Sequence, residues 1–68
     1  STLVLMNEFD YIIQEAREIF DFYGMNHEKP VIDEILYNSD YDLIHFLGDN
    51  KIFDEKLKKE VPVLDIIQ

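Results

Sequence analysis

An all-α domain, compact and built from three to four helices, is the fold class this sequence predicts, and three observations carry the prediction. Apolar residues from Leu5 to Tyr23 recur at spacings of four and three, the period of one face of an α-helix. The two glycines, Gly24 and Gly48, each stand where a helical pattern ends, as a left-handed terminating residue would. Asp54 with Lys58, and Glu55 with Lys59, place an acid four residues before a base, an arrangement that supports a helix.

The first helix is expected from about Val4 to Tyr23. Leu5, Phe9, Ile12, Ala16, Ile19 and Tyr23 form its stripe, Ile13 and Phe20 widen it, and Glu8, Glu15, Glu18 and Asp21 lie mainly opposite. Arg17 and Asp21 are four apart and suit a surface ion pair. A connection over Met25 to Lys29 leads to Pro30, which fits the first position of a second helix because its missing N–H costs nothing there. Ile32, Ile35 and Leu36 continue the apolar face as far as Asn38-Ser39-Asp40, residues whose side chains compete for nearby backbone groups and favour caps. Ser39 with Asp42 resembles a capping box, so Asp40 to Leu47 reads as a third short helix ended by Gly48. A single kinked helix from Pro30 to Leu47 is the competing reading. Asp49-Asn50 then offers a cap for a helix from about Lys51 to Glu60 with Ile52, Phe53, Leu57 and Val61 on one side, stopped by Pro62. The tail Val63 to Ile67 reads as a last helical turn or an extended segment, and its β-branched residues lean toward a strand. Paired with Thr2 to Leu5 it would give the alternative class, α+β with short terminal strands.

Size and composition narrow the functions. Sixty-eight residues form one domain, spanning 1–68, near the lower limit for burying a useful core. Cysteine is absent, which removes disulfides and thiolate metal sites and suits a reducing compartment. A hydrophobic fraction of 47% separates the chain from disordered acidic tails. The longest uncharged run, Ser1 to Asn7, falls far short of a membrane span and has no basic region before it, so an intracellular location, cytoplasmic or nuclear, is expected.

The net charge is −9, and residues 1–50 carry all of it, with eleven acids against Arg17 and Lys29 alone. Residues 51–68 hold four acids and four lysines. Such a field repels nucleic-acid phosphates and anionic lipid heads and attracts basic proteins. The expected partner is therefore a basic protein, with no direct nucleic-acid contact and no membrane.

No cluster specifies catalysis. His27 and His45 have no cysteine to activate, and Ser39 is better explained as a cap. Asp42, His45 and Asp49 would share a face only if their helix ran past Gly48, and they fall short of the four ligands of a structural zinc. Glycine is too sparse for a phosphate-cradling loop. No enzyme activity, metal or cofactor is assigned. Tyr11 and Phe22 fall off the stripe of the first helix, and Tyr37 and Tyr41 flank the acidic break. Aromatic rings among carboxylates compose a binding surface, because a ring buries area at little entropic cost while the acids steer a basic partner. The bland alternative is that Phe22 and Tyr11 complete the core. The candidate contact residues are Asp33, Glu34, Tyr37, Asp40, Tyr41 and Asp42. The expected function is an acidic helical adaptor or inhibitor that docks onto a basic protein surface, including one that normally binds nucleic acid. The second reading is a structural subunit or homodimer using the first helix's apolar stripe as a coiled-coil seam. The segment Asp40 to Phe46 superficially resembles part of the helical nuclease-colicin immunity proteins, which use a Tyr-bearing short helix against a basic nuclease. Over those seven residues His45 and Phe46 stand where that family has two tyrosines, and the proline that follows there is missing, so no family is assigned on it.

Overall fold

The computed structural model describes residues 8–36 and 40–67. Among them the chain is mostly helical with one small antiparallel sheet: helix α1 (Glu8–Phe22), a 3₁₀ turn (Asn26–Glu28), α2 (Lys29–Leu36), α3 (Asp40–Asp49), strands β1 (Lys51–Asp54) and β2 (Lys59–Pro62), and a last turn of helix, α4 (Val63–Ile66).

Helix α1 follows its stripe from Phe9 to Ile19, while Tyr23, expected to end it, lies past the helix and is exposed. Ala16 and Phe20 are fully buried, with Phe9, Ile12, Ile13 and Ile19 packed around them. The face expected to offer a seam for a second copy is thus the main core face of this chain. Leu5 and the proposed strand Thr2 to Leu5 lie outside the described residues.

Gly24, at φ 71°, closes α1. Its N–H donates to the Asp21 carbonyl at 3.2 Å, and that of Met25 reaches back to the Phe20 carbonyl at 2.7 Å. This is the paired pattern of a Schellman cap, and Met25 packs on the core as the motif requires. Gly48 behaves differently. Helix α3 runs through it to Asp49, and its φ is not positive. The two glycines therefore respond in opposite directions to an added methyl. A Cβ on Gly24 would meet nothing within 4 Å, so Gly24→Ala is expected to cost only the left-handed backbone penalty, about 1–2 kcal/mol. A Cβ on Gly48 would rest 4.0 Å from Leu64 Cδ2, an ordinary contact, so Gly48→Ala is expected to stabilise by about 0.5–1 kcal/mol through helix propensity. Urea unfolding of the two variants checks both signs.

Pro30 lies in the first turn of α2, where no intrahelical donor is needed. Ile32 is fully buried, and Ile35 packs beside it. Helix α2 is described as far as Leu36 and α3 from Asp40; the expected break at Asn38-Ser39 and its capping box lie outside the described residues.

The helix expected from Lys51 to Glu60 is instead a hairpin. Ile52 pairs with Val61, Phe53 with Glu60 and Asp54 with Lys59. Directly opposed residues share a face, so Ile52, buried in the core, lies with half-buried Val61 on one side of the hairpin, while Phe53 and Glu60 lie exposed on the other. Phe53 and Leu57, both expected on the apolar side of a helix, are 48% and 59% exposed. The acid–base spacings that suggested a helix are worth only about 0.3–0.5 kcal/mol each. A ten-residue helix from Lys51 to Glu60 would be marginal unless a broad apolar face packed, whereas the hairpin delivers Ile52 to the core and leaves Val61 half-buried opposite it. Its loop is organised by Asp54, whose Oδ1 accepts the N–H groups of Lys56 at 2.8 Å and Leu57 at 2.9 Å, and whose carbonyl accepts that of Lys58 at 2.7 Å. Lys58 closes the loop at φ 57°, a conformation that costs a side-chain-bearing residue roughly 1–2 kcal/mol. Lys58→Gly is accordingly expected to raise stability by up to about 1 kcal/mol, seen as a higher urea midpoint.

Asp49-Asn50, expected to start a helix, ends one. The Asn50 backbone N–H and side-chain Nδ2 both donate to the Phe46 carbonyl, at 3.1 and 2.9 Å, while the Asn50 carbonyl accepts the N–H of Val63 at 2.7 Å. One residue thus joins the end of α3, the base of the hairpin and the start of α4. The tail is helical from Val63, which is fully buried, so of its two readings the last helical turn is formed and the strand is not. The core comprises Ala16, Phe20, Ile32, Leu43, Leu47, Ile52 and Val63, with α3 packed against α2, α4 and β2, and α1 against α2 and α4. The sheet of the α+β alternative is therefore present in kind but made by other residues.

Candidate protein-binding surface

Charge pairing decides which acids the fold uses for itself. Arg17 of α1 donates to Asp33 of α2, and Lys29 Nζ reaches Asp21 Oδ1 at 3.2 Å. Arg17 was expected to pair with Asp21, four residues along the same helix. Instead both acids on that flank of α1 and α2 are tied by cross-links between the two elements. Exposed pairs of this kind contribute about 0–1 kcal/mol, so their main effect is to turn the only two bases of residues 1–50 inward along the α1–α2 seam. His27 Nε2 lies 3.0 Å from Glu28 Oε1, a contact between neighbours in the 3₁₀ turn.

The six candidate contact residues fall on α2, α3 and the segment between them. Asp33 is engaged with Arg17, so its charge is partly spent on holding α2 to α1. Glu34 is exposed beside it. Tyr37 lies outside the described residues. Asp40 and Tyr41 belong to α3, their side chains outside the description, and Asp42 follows them, exposed. Because α3 continues through Gly48, Asp42, His45 and Asp49 do share one exposed face, at spacings of three and four. Among the described residues, no three His, Asp or Glu side chains are grouped to hold a metal ion.

The aromatic residues divide sharply. Phe46 meets Phe20 edge-on, with centroids 6.1 Å apart, and belongs to the core. Phe22 is 82% exposed and Tyr11 43%, which settles the choice between core and surface for these two. Phe22 also meets Tyr23 edge-on at 5.0 Å, so its ring has one aromatic neighbour and otherwise faces solvent. At about 100° per residue, Tyr11, Glu15, Glu18 and Phe22 follow one another along a single strip of α1. Phe22 and Arg17 stand about 140° apart by the same geometry, so the strip lies away from the Arg17 flank that faces α2. The positions of Tyr11 and Phe22 off the apolar stripe were the sequence signal for this face; their alignment with Glu15 and Glu18 requires the helix register.

The four remaining lysines, Lys51, Lys56, Lys58 and Lys59, are all exposed and all belong to the hairpin. Lys58 Nζ lies 3.3 Å from Glu55 Oε2 within the loop. Among the described residues, no helix is long and apolar enough to cross a membrane. Comparisons with protein-family models, with curated proteins and with solved structures find no match.

Proposed function

We propose that this chain is a protein-interaction module, an acidic helical adaptor or inhibitor that docks onto a basic protein surface, including one that otherwise holds nucleic acid. One observation carries the reading. Residues 1–50 hold a net charge of −9, and their only two bases are engaged in pairs with Asp33 and Asp21. Internal pairing leaves the net charge unchanged, so the helical body retains a field that concentrates cationic partners and raises their association rate. The contact set we assign is Glu34 on α2 and Asp40, Tyr41 and Asp42 on α3, together with Tyr37 outside the described residues, and Asp33 adds field from within its pair. The absence of cysteine suits work in a reducing, intracellular compartment.

Affinity capture from a lysate at low ionic strength tests the reading. The expected partners are basic proteins that elute progressively along a salt gradient. Retention of neutral or acidic proteins, or elution indifferent to salt, would contradict it.

A further inference from the structure

The face of α1 turned from the core, with Glu8, Tyr11, Glu18 and Phe22 exposed and Glu15 half-buried, has a chemistry of its own. Tyr11 and Phe22 stand eleven residues apart with Glu15 and Glu18 between them, and Glu8 lies one turn before Tyr11. No base occurs on this strip, since Arg17 faces the α2 seam. Phe22 gains little from folding at 82% exposure, yet its ring is braced edge-on by Tyr23 at 5.0 Å and 75°. A braced, solvent-facing ring with a carboxylate one turn away is suited to a planar cation. The guanidinium stacks on the ring while its N–H fork takes the acid bidentately, which an ammonium cannot do.

We propose that the strip from Tyr11 to Phe22 seats an extended, arginine-bearing segment of the basic partner, with one guanidinium on Phe22 and Glu18 and a second on Tyr11 and Glu15. The inference rests on the reading of the chain as an acidic docking module and moves its principal contact from α2 and α3 to α1. Charge complementarity selects the occupant: an apolar helix would leave Glu15 and Glu18 facing hydrocarbon, and an acidic one would be repelled. Geometry sets the spacing. Eleven residues of helix rise about 16 Å, which an extended chain covers in about five residues, so arginines about five positions apart reach both rings.

Deca-arginine and deca-lysine, titrated at about 10 mM salt into the full chain labelled for amide NMR, test this. The arginine peptide is expected to bind several-fold more tightly than the lysine peptide and to shift amides from Tyr11 to Tyr23. Tyr11→Ser and Phe22→Ser, both at exposed positions and checked for an unchanged melting temperature, are each expected to weaken arginine binding about two- to fivefold. Together they should erase the preference over lysine, while Asp65→Asn, at an exposed acid outside the proposed contacts, leaves that preference intact. If deca-arginine binds but shifts α2 and α3 instead, with the ring variants unaffected, the α1 site is wrong and the docking function stands. If neither peptide binds the unmodified chain, both are wrong.

Discussion

Phe20→Ala is expected to lower stability by about 3–5 kcal/mol, the usual cost of emptying a buried phenylalanine site. A 68-residue domain holds roughly 3–10 kcal/mol in total, at about 0.05–0.15 kcal/mol per residue, so the variant should be largely unfolded or close to it. Phe20 is fully buried and meets Phe46 edge-on, and its carbonyl receives the Met25 N–H that closes α1. The cavity would open between α1 and α3, beside the Phe46 ring. Two residues on, Phe22→Ala is expected to change stability by no more than about 0.5 kcal/mol, because that ring is 82% exposed. Thermal unfolding followed by circular dichroism separates the pair. A small, equal effect of both substitutions would show that α1 does not present Phe20 to the core.

Asn50→Asp is expected to cost about 2 kcal/mol, roughly twice Asn50→Ala. Alanine removes the Nδ2 donation to the Phe46 carbonyl, worth about 1 kcal/mol. Aspartate also sets a carboxylate against that carbonyl at the negative end of the α3 dipole, adding about 0.5–1 kcal/mol. The side chain cannot simply swing away with its backbone, because the Asn50 carbonyl is held by Val63 at 2.7 Å. Urea unfolding of the two variants side by side gives the comparison. Equal losses would mean that only the missing donor matters, and that the dipole end is solvated at this site.

The contrast between these two residues shows what the sequence could disclose. Phe20 lies in a stripe that repeats over several turns, and one long amphipathic period leaves little doubt about which face is buried. Gly24 and Pro30 bracket the turn that follows for local steric reasons, and they read correctly without tertiary information. Asn50 acts through partners at Phe46 and Val63, one before and one well after it, so its side chain fits an N-cap or a helix end equally well in sequence. The hairpin was hidden behind the acid–base spacings of Asp54, Glu55, Lys58 and Lys59, which suit a helix. Ile52 and Val61 are nine residues apart, which at about 100° per residue sets them on opposite sides of a helix, whereas across the hairpin they oppose each other on one face, with Ile52 in the core. The clue lay in Asp54 followed by four residues and then Lys59-Glu60-Val61: a side chain able to bond backbone N–H groups two and three residues ahead marks a turn as well as it marks a cap. On the surface, the local partner Asp21 was the obvious mate for Arg17, and the tertiary partner Asp33 won because α2 crosses that flank. Tyr11 and Phe22 were visible as residues off the apolar stripe, but their exposure followed only once the core was known to close without them.

The negative field of residues 1–50 underlies the proposed function, and its most direct test is the affinity of the intact chain for deca-arginine as a function of salt. Between about 10 and 150 mM the screening length falls from about 30 to about 8 Å. The dissociation constant is expected to rise at least about tenfold over that range, a loss of about 1.4 kcal/mol. A dissociation constant that stays level across the same range would mean that the carboxylates of the helical body do not govern what binds to it.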